Sequence, residues 1–385
     1  MRFADNRNKI GKYIPTVVFL IFIYGMALWF IFSPKPDYSS SEKRYLQKFP
    51  EVTVEKLLSG DFGSEFETFF ADRFPQRNTW VGLNAYTALA VGNNGASGVY
   101  NCKNGYLINK PVSTENNLDK NIGAVADFAK SIETPTTVML VPSTGYIVDD
   151  VLPTFHDKYN DDEDISKISS TLSKDKIGFV DLRERFKSEY KNGSQLYYKT
   201  DHHWTTKGAY TGYQELCKAL GITPIDDSTL KKDSYPDFYG TTYSSSGFWL
   251  TPPDNIEIWN NPKNSDRNIS VKITEGANIK TSGSMYFTDH LKEDLKYPVF
   301  IDGNHALTEI TNTNAKNGTI LLIKDSFSHS LAPFLAENYS KVVLVDLRYY
   351  KESVSDLVTT YNPEQVVVLY GIDNLATDTD IVWLK

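Results

Sequence analysis

The sequence predicts an α/β protein that is built on a parallel sheet and preceded by a transmembrane helix. Short apolar runs that suit buried strands alternate with amphipathic segments that suit helices. This alternation is typical of a parallel sheet covered by helices on both faces. An uncharged apolar run near the N-terminus is long enough to cross a bilayer. The 385 residues offer room for about two to three domains.

The apolar run covers residues 14–32 and contains no charged side chain. At about 1.5 Å rise per residue, a helix of this length spans a hydrocarbon core of about 30 Å. Basic residues outnumber acidic ones in residues 1–13, which predicts a cytoplasmic tail there and an extracytoplasmic location for the rest of the chain. A cleaved signal peptide is the competing interpretation, but its apolar region is shorter. We therefore expect an uncleaved, single-pass anchor in the cell membrane.

The chain after the anchor begins with residues 33–41, which are rich in Pro and Ser and predict a linker. Residues 42–385 are expected to form the extracytoplasmic domain. Its first part, residues 42–95, has the apolar periodicity of helices.

Five apolar runs predict the strands of the sheet, at residues 136–142, 177–181, 319–324, 341–346 and 365–370. Helical segments are predicted over 182–190, over 205–220, and from the third strand to about residue 338. Gly221 predicts where the second of these helices ends. Residues 228–300 interrupt the alternation, because they are rich in Ser, Thr, Asn and Tyr, and predict a β-rich or irregular insertion with short alternating stretches at Ile256–Trp259 and Ile269–Ile273.

The composition excludes several classes of protein. Hydrophobic residues make up 41% and charged residues 23%, which is the balance of a globular protein. The formal net charge is -8, whereas a general nucleic-acid binder is usually basic, so we expect no nucleic-acid partner. Two cysteines, Cys102 and Cys217, are too few for a disulfide-dense scaffold, and either one bridge or two unpaired buried thiols fits them.

Two polar clusters have the composition of a catalytic site. Residues 200–205 read TDHHWT and lie just before a predicted helix. In this cluster, the carboxylate of Asp201 is close enough in sequence to turn back onto the imidazole of His203. Residues 324–329 read KDSFSH and follow a predicted strand directly, which places Ser326 at a strand end and near the N–H groups of a helix.

A serine hydroxyl is a weak nucleophile, and it needs an imidazole base that a carboxylate orients. Asp201, His203 and Ser326 together supply these three groups. Each cluster also has a plainer interpretation: Asp-Ser before a helix is often an N-cap, and two adjacent histidines occur in polar loops and metal sites. No third His or Cys lies near by at a metal-binding spacing, so we expect no metal. Ser143 also follows a strand, but it has no acidic neighbour in the sequence, and a substrate-facing or capping role is favoured for it.

The segment TDHHWTTKGAY at residues 200–210 resembles the signature of the bacterial DHHW family. That family is similar to the alginate O-acetylation proteins of the periplasm, which carry an SGNH-hydrolase-like domain. Further stretches agree with the resemblance, at Lys43–Pro50, Phe69–Arg77, Ile323–Ser328 and Val345–Tyr350. The resemblance implies an SGNH-hydrolase-like three-layer sandwich in which the usual order of the serine and histidine blocks is reversed.

The resemblance also implies roles for single residues. Ser326 corresponds to the nucleophile, His203 to the base and Asp201 to the carboxylate that orients it. Candidates for contacts with the substrate or the oxyanion are Arg348, Tyr349, Asn374 and His202, of which Asn374 stands one place late against the family's Gly-x-Asn-Asp block.

The function that the resemblance implies is acetyl transfer to a cell-surface or secreted polysaccharide through an acetyl-serine intermediate. The acetyl donor would come from an integral membrane acyltransferase partner. Two alternatives stay open at this point: an acetyl or carbohydrate esterase with the same triad, and a non-catalytic glycan-binding scaffold. No motif for a nucleotide or another cofactor occurs in the sequence, and none is expected.

Overall fold

The computed structural model describes the backbone of residues 2–113 and 117–384, with side chains from residue 12 onward. The first residue of the expected cytoplasmic tail lies outside the described residues, as do the side chains of residues 2–11. The chain divides into two compact units, Met1–Tyr86 and Thr87–Lys385.

The first unit is mainly helical. Its elements are α1 (Arg2–Phe32), β1 (Tyr38–Ser39), β2 (Arg44–Tyr45), α2 (Val54–Ser59), α3 (Asp61–Asp72) and the start of α4 (Arg77–Ala90). Lys12–Phe32 in α1 is the one helix in the described part of the chain that has the length and hydropathy to cross a membrane, and it is not buried in the protein. The expected linker at residues 33–41 is held in place, because Arg73 donates hydrogen bonds to the carbonyl oxygens of Lys35 and Pro36.

The second unit alternates strands and helices, as the sequence predicts. Up to residue 220 it contains β3 (Gly95–Ala96), β4 (Val99–Asn101), β5 (Leu107–Asn109), α5 (Asn117–Ser131), β6 (Thr136–Val141), α6 (Thr144–Ile147), α7 (Asp161–Lys174), β7 (Gly178–Asp181), α8 (Arg183–Lys191) and α9 (Thr206–Leu220). It continues with β8 (Lys231–Phe238), α10 (Thr241–Ser246), β9 (Asp254–Asn260), β10 (Ile269–Glu275), β11 (Asn278–Ser282), β12 (Leu307–Asn312), β13 (Asn317–Lys324), α11 (Ser328–Leu335), β14 (Tyr339–Val345), α12 (Val354–Tyr361), β15 (Gln365–Gly371) and α13 (Ile372–Thr377).

The large sheet has eight strands in the order β11-β10-β12-β14-β13-β15-β6-β7. The five strands from β14 to β7 are the five that the apolar runs predict, and they pair in parallel. The remaining three, β10, β11 and β12, pair antiparallel and make the sheet mixed. The predicted parallel pairing is therefore confirmed for five strands, and the sheet as a whole is mixed.

The strands within residues 228–300 belong to two different sheets. β8 and β9 form a separate two-stranded ladder, whereas β10 and β11 extend the large sheet. The alternating stretches at Ile256–Trp259 and Ile269–Ile273 are both strands, as their pattern predicts.

Two hydrophobic clusters use alternate residues of the central strands. In β13, Ile320 and Leu322 belong to one cluster, and Leu321 and Ile323 belong to the other. Because successive side chains of a strand point to opposite faces, the clusters lie on the two faces of the sheet. α9 and α11 contribute to the first cluster, and α5 and α12 to the second. This burial on both faces explains why the strands are continuous apolar runs.

The site is positioned by the carboxyl ends of the parallel strands. β13, β15 and β6 are neighbours in the sheet, and Ser326, Gly371 and Ser143 stand at or just after their ends. α9 is capped at its start by Thr205, whose side chain accepts a hydrogen bond from the N–H of Gly208, and at its end by Gly221, whose φ is 68°. Both ends agree with the sequence prediction, and the helix fixes the chain immediately after the histidines.

Candidate active site

Asp201, His203 and Ser326 form one chain of hydrogen bonds. The Oγ of Ser326 lies 2.7 Å from Nε2 of His203, and Nδ1 of His203 lies 2.5 Å from Oδ1 of Asp201. All three residues are buried. An ionised carboxylate only accepts hydrogen bonds, so Nδ1 carries the proton and Nε2 accepts from the serine hydroxyl. The arrangement can deprotonate the serine as it attacks an electrophile.

Asp201 is held by backbone as well as by the imidazole. Its Oδ1 accepts from the N–H of His203 at 2.9 Å, and its Oδ2 accepts from the N–H of Thr241 at 2.7 Å. Burial alone would raise the pKa of Asp201, but the imidazoles of His203 and His202 and the N–H of Thr241 lower it well below its usual range. The carboxylate is therefore ionised, as an orienting group must be.

The loop that carries the histidines is closed at both ends. Tyr197 and Trp204 form an isolated antiparallel bridge across it. Asp254 accepts hydrogen bonds from the N–H groups of Lys199 and Thr200 and from the Thr200 hydroxyl. Because a buried carboxylate satisfies these donors, the loop has a fixed shape before any ligand arrives.

Trp204 connects the two sequence clusters. Its indole Nε1 donates to the carbonyl oxygen of Phe327 at 3.0 Å and to the Ser330 hydroxyl at 2.9 Å. These partners lie one and four positions after Ser326, so the tryptophan of the histidine loop fixes the chain that presents the serine. This observation gives a structural role to a motif residue for which the sequence suggested none.

The imidazole of His203 lies between two aromatic rings. The ring of Tyr297 stacks on it at a centroid distance of 4.0 Å and an angle of 11°, and the ring of Phe327 meets it edge-on at 5.1 Å. The Tyr297 hydroxyl also donates to the carbonyl oxygen of Ser326 at 3.2 Å. Sequence reasoning did not find Tyr297, because nothing local marks a tyrosine that lies far from both clusters in the chain.

Asp325 organises the backbone around the serine. Its Oδ1 accepts from the N–H of Phe327, and its Oδ2 accepts from the N–H of Gly371 and from Nδ2 of Asn374. Asn374, a predicted oxyanion residue, is thus brought next to the serine loop with one of its amide hydrogens committed to Asp325. The N–H of Ser326 has no hydrogen-bond partner among the described residues.

Arg348 and Tyr349 stand apart from the triad. Arg348 is bonded through Nε and Nη2 to the buried carboxylate of Asp346, which also accepts from the buried ammonium of Lys324. Burial would raise the pKa of Asp346, but Arg348 and Lys324 lower it. Tyr349 is half exposed and lies beside the Arg348 guanidinium. Among the described residues, neither side chain is hydrogen bonded to Asp201, His203 or Ser326.

His202 is placed beside the triad, with its ring centroid 3.8 Å from that of His203. Its Nδ1 lies 2.8 Å from Oγ1 of Thr241, a distance that fits a hydrogen bond. Asp201, His202 and His203 are also near enough to share a metal ion. However, both ring nitrogens of His203 are engaged in hydrogen bonds, one with the carboxylate and one with the serine. This use of the nitrogens favours the triad arrangement.

Ser143 does have acidic neighbours in space. Its Oγ donates to Oδ1 of Asp373 at 3.1 Å, and its N–H donates to Oδ1 of Asp161 at 2.7 Å. Ser143 and Asp373 line a cavity that Asp201 and His202 also line. The serine has a carboxyl partner and no imidazole partner among the described residues, so it lacks a base of the kind that Ser326 has.

Comparisons with solved structures identify the fold. A DHHW family protein from Eubacterium siraeum matches with a TM-score of 0.63 at 17% identity, over 75% of this chain and 95% of that chain. Bacillus cereus PatB1 with a sulfonyl adduct matches with a TM-score of 0.62 at 21% identity, over 74% of this chain and 97% of that chain. The O-acetyltransferase domain of Pseudomonas putida AlgJ matches with a TM-score of 0.48 at 14% identity, over 75% of this chain and 95% of that chain. No curated protein gives a significant sequence match.

The sequence comparison is more specific about ancestry. Residues 108–345, more than half of the chain, match the model of the DHHW protein family. The matched region contains the histidine loop, the serine loop and seven of the eight strands of the large sheet. On this match and the shared fold, the chain belongs to the DHHW family.

Proposed function

We propose that this protein is a membrane-anchored, extracytoplasmic O-acetyltransferase that acts on a cell-surface or secreted polysaccharide. The observation that carries the proposal is the hydrogen-bonded chain from Asp201 through His203 to Ser326, located at the carboxyl end of a central strand. The SGNH-like three-layer arrangement and the assignment of these three residues as catalytic are parts of the same proposal.

In the first half of the reaction, Oγ of Ser326 attacks the carbonyl carbon of an acetyl ester, and Nε2 of His203 takes the hydroxyl proton. Asp201 stabilises the imidazolium that forms. The tetrahedral intermediate then expels the alkoxide of the donor, which takes the proton from His203. The products are acetyl-Ser326 and the free alcohol of the donor, so the atoms and charges balance.

In the second half, a sugar hydroxyl attacks the acetyl-serine while His203 takes its proton. Collapse of the second intermediate releases the O-acetylated sugar, and His203 returns the proton to Oγ of Ser326. Water in place of the sugar would make the same residues an esterase. The choice between transfer and hydrolysis therefore depends on what occupies the space beside the acetyl-serine.

Negative charge develops on the carbonyl oxygen in both intermediates, and donors are needed there. The N–H of Ser326 is available, and Nδ2 of Asn374 has a second hydrogen beyond the one it gives to Asp325. We assign these two groups as the oxyanion donors. We assign roles in substrate contact or in the local electrostatic field to the other candidates from the sequence, which are Arg348, Tyr349 and His202.

A purely structural role for the triad is a weaker explanation. Burying a carboxylate, an imidazole and a hydroxyl costs free energy unless each is fully hydrogen bonded, and an apolar cluster would fill the same space without that cost. The chain retains all three groups in a catalytic order, and the aromatic rings of Tyr297 and Phe327 orient the imidazole. This combination favours an enzyme over a glycan-binding scaffold.

Anchoring and partners complete the proposal. The apolar helix Lys12–Phe32 would keep the domain at the outer face of the membrane, where a polysaccharide is accessible. The acetyl group would reach it through an integral membrane acyltransferase. No step of the proposed cycle requires a metal or another cofactor.

The proposal is tested with the full chain in detergent micelles and p-nitrophenyl acetate as the acetyl donor. We expect a burst of p-nitrophenol and an acetyl adduct on Ser326 by intact and peptide mass analysis. Ser326→Ala and His203→Ala should each remove the burst, and a drop of on the order of a thousandfold or more in turnover is expected from the loss of a triad member. Ser170→Ala, an exposed serine on α7, is the matched control.

A sulfonyl fluoride gives an independent test of the nucleophile. The Bacillus cereus PatB1 structure contains a sulfonyl adduct, and an activated serine forms a stable sulfonate ester with such a reagent. We expect one adduct, on Ser326, that is absent from both triad variants. Modification elsewhere, or equal acetylation of the wild type and Ser326→Ala, would contradict the assignment.

A further inference from the structure

The strand that Ser326 follows has two neighbours on one side, and polar residues follow those strands as well. β13, β15 and β6 are adjacent, and they are followed by Ser326, Asp373 and Ser143 respectively. Neighbouring strands are about 4.8 Å apart, so the ends of β13 and β6 lie about 10 Å apart, which is the reach of a single sugar ring with its substituents. A partly enclosed cavity occupies this stretch and is lined by Ser143, Asp373 and Asn374.

We propose that this cavity binds one uncharged sugar residue of the acceptor glycan, with the Ser143–Asp373 pair hydrogen bonded to hydroxyls of that sugar, and that it rejects uronic acids. The inference rests on the proposed acetyl transfer, because it assigns the second substrate of that reaction. It adds a binding role for Ser143 and Asp373 and a chemical class for the acceptor.

The lining offers the hydrogen bonding that a sugar requires. Besides Ser143 and Asp373, polar groups of Asn109, His202 and Asn374 border the cavity, and the ring of Tyr159 forms part of the wall. Hydroxyl groups both donate and accept, so a carboxylate, an amide and a hydroxyl placed together bind adjacent hydroxyls of one ring. The Ser143 hydroxyl is oriented by Asp373 at 3.1 Å, and its N–H is fixed by Asp161 at 2.7 Å, so the pair is set before the sugar arrives.

The charge of the cavity argues against an anionic ligand. Its titratable lining residues are Asp201, His202, Tyr159 and Asp373, and none of the described lining residues is a Lys or an Arg. Asp161 lies directly behind Ser143 and adds a further carboxyl group. Burial raises the pKa of Asp161 to about 7 and that of Asp373 to about 6, and the charge of Asp373 raises the pKa of Asp161 further. A uronate would bring another carboxylate into a site where the carboxyl groups already present resist ionisation.

The position next to the triad gives the sugar access to the acetyl group. Asp201 and His202 belong both to the cavity wall and to the histidine loop, and Phe327 directly follows Ser326. Asn374, the proposed oxyanion donor, lines the same space. A hydroxyl at the near end of the ring would therefore meet the acetyl-serine, while hydroxyls at the far end bind Ser143 and Asp373.

The experiment measures how sugars accelerate the removal of the acetyl group from the acetyl-enzyme. The full chain in detergent micelles is supplied with p-nitrophenyl acetate and with one sugar at a time. The sugars form three pairs, each of a neutral methyl glycoside and the methyl glycoside of its uronic acid: glucose with glucuronate, galactose with galacturonate, and mannose with mannuronate. The uronates are used with their carboxylates free. The burst amplitude normalises each rate to the amount of acylated protein. We expect at least one neutral glycoside to raise the steady rate and to be acetylated, and its uronate to have little effect.

Two variants test the residues. Ser143→Ala removes one hydrogen bond, so the KM for the active glycoside should rise by about three- to tenfold at a normalised kcat close to that of the wild type. Asp373→Asn keeps a hydrogen-bond acceptor but removes the charge. In this variant, the neutral sugar and its uronate should differ less in how much they accelerate turnover than they do with the wild type. Ser170→Ala should leave the KM and this difference in acceleration as they are in the wild type.

The outcomes separate this inference from the proposed function. If the wild type shows no burst and no adduct, the acetyl-transfer proposal fails. If the burst is normal but no neutral glycoside accelerates turnover, or a uronate does so equally well, the acceptor assignment alone is wrong. An unchanged KM in Ser143→Ala would likewise overturn the role of the Ser143–Asp373 pair.

Discussion

Tyr297 contacts the proposed base through its ring and the chain that presents Ser326 through its hydroxyl. We expect Tyr297→Phe to keep the stacked ring and to lose the hydrogen bonds with the Ser326 carbonyl and the Ser330 hydroxyl, at a cost of about 1 kcal/mol in stability for each bond and with a modest fall in kcat. Tyr297→Leu loses the flat surface on which the imidazole rests, and its kcat should fall much further. The measurements are burst kinetics and thermal melts of both variants. Equal kcat losses would show that stacking does not position His203.

Gly240 leaves room for the carboxylate of Asp201. A Cβ at this position would lie 2.1 Å from Cβ of Asp201 and 2.3 Å from its Oδ2. Gly240→Ala must therefore displace Asp201, and we expect a fall in kcat of at least tenfold, about the effect of misplacing a catalytic group. Gly123→Ala is the control, since nothing lies within 4 Å of its Cβ and it stands inside α5. That change should preserve activity and stabilise the protein by about 0.5–1 kcal/mol.

Local sequence patterns predicted part of the site. The remaining residues were missed because they lie far from these patterns in the sequence or make contacts only in the folded chain. Asp201 and His203 are two positions apart, so their contact follows from a single turn of chain, and the strand before Ser326 marks the serine. Tyr297 and Gly240 act through folding contacts that no short motif records. Asp325 stands in the serine cluster, but its contacts with Gly371 and Asn374 arise only in the folded chain. The catalytic roles of Asp201, His203 and Ser326 stay predictions until kinetics test them.

Helix α7 begins with a buried carboxyl group, that of Asp161, which accepts from the N–H of Ser143. Burial, and then the charge of Asp373, raises the pKa of Asp161 from 3.8 to about 7 in the folded state. Between these values the folded chain binds more protons than the unfolded chain, so this residue's contribution to stability is complete below about pH 4 and is lost as the pH rises through about 7.

Asp161→Asn keeps the oxygen that accepts from Ser143 and removes the ionisation. We therefore expect the variant to gain stability relative to the wild type as the pH rises from 4 to 8, by on the order of a few kcal/mol. Thermal or denaturant unfolding at several pH values measures the difference. Glu163→Gln, which changes an exposed carboxylate on the same helix, should shift stability little at any pH. A pH-independent difference for Asp161→Asn would contradict the prediction.

The strands were predictable where they are buried on both faces. Four of the five parallel strands contain continuous apolar runs, mostly of Val, Ile and Leu, and their short length favours strands over helices. The fifth, β7, is shorter and only partly buried. β11, at the edge of the sheet, and β12, which has a partner on each side, were missed because polar side chains such as those of Lys280 and Thr308 alternate with apolar ones and weaken the signal. β10 was recognised as a strand, but the sequence did not show that it joins the large sheet.

Both cysteines are unpaired and buried, Cys102 near β4 and Cys217 in α9. This arrangement selects the second of the two alternatives that the sequence left open. Burial raises the pKa of both thiols to about 12, which suppresses the reactive thiolate. We expect Ellman's reagent to label neither thiol in the native full chain and both in denaturant, and reduction to leave gel mobility unchanged. Rapid native labelling would show that at least one of the thiols is accessible.

The last strand of the large sheet to be made, β15, lies in its middle, between β13 and β6. Until residues 365–371 have been made, these neighbours have no common partner, and the segment that holds Asn374 does not exist. A chain cut short before this strand therefore leaves the inner edges of β13 and β6 unpaired, which favours aggregation. The complete sheet can form only after nearly the whole chain has been synthesised.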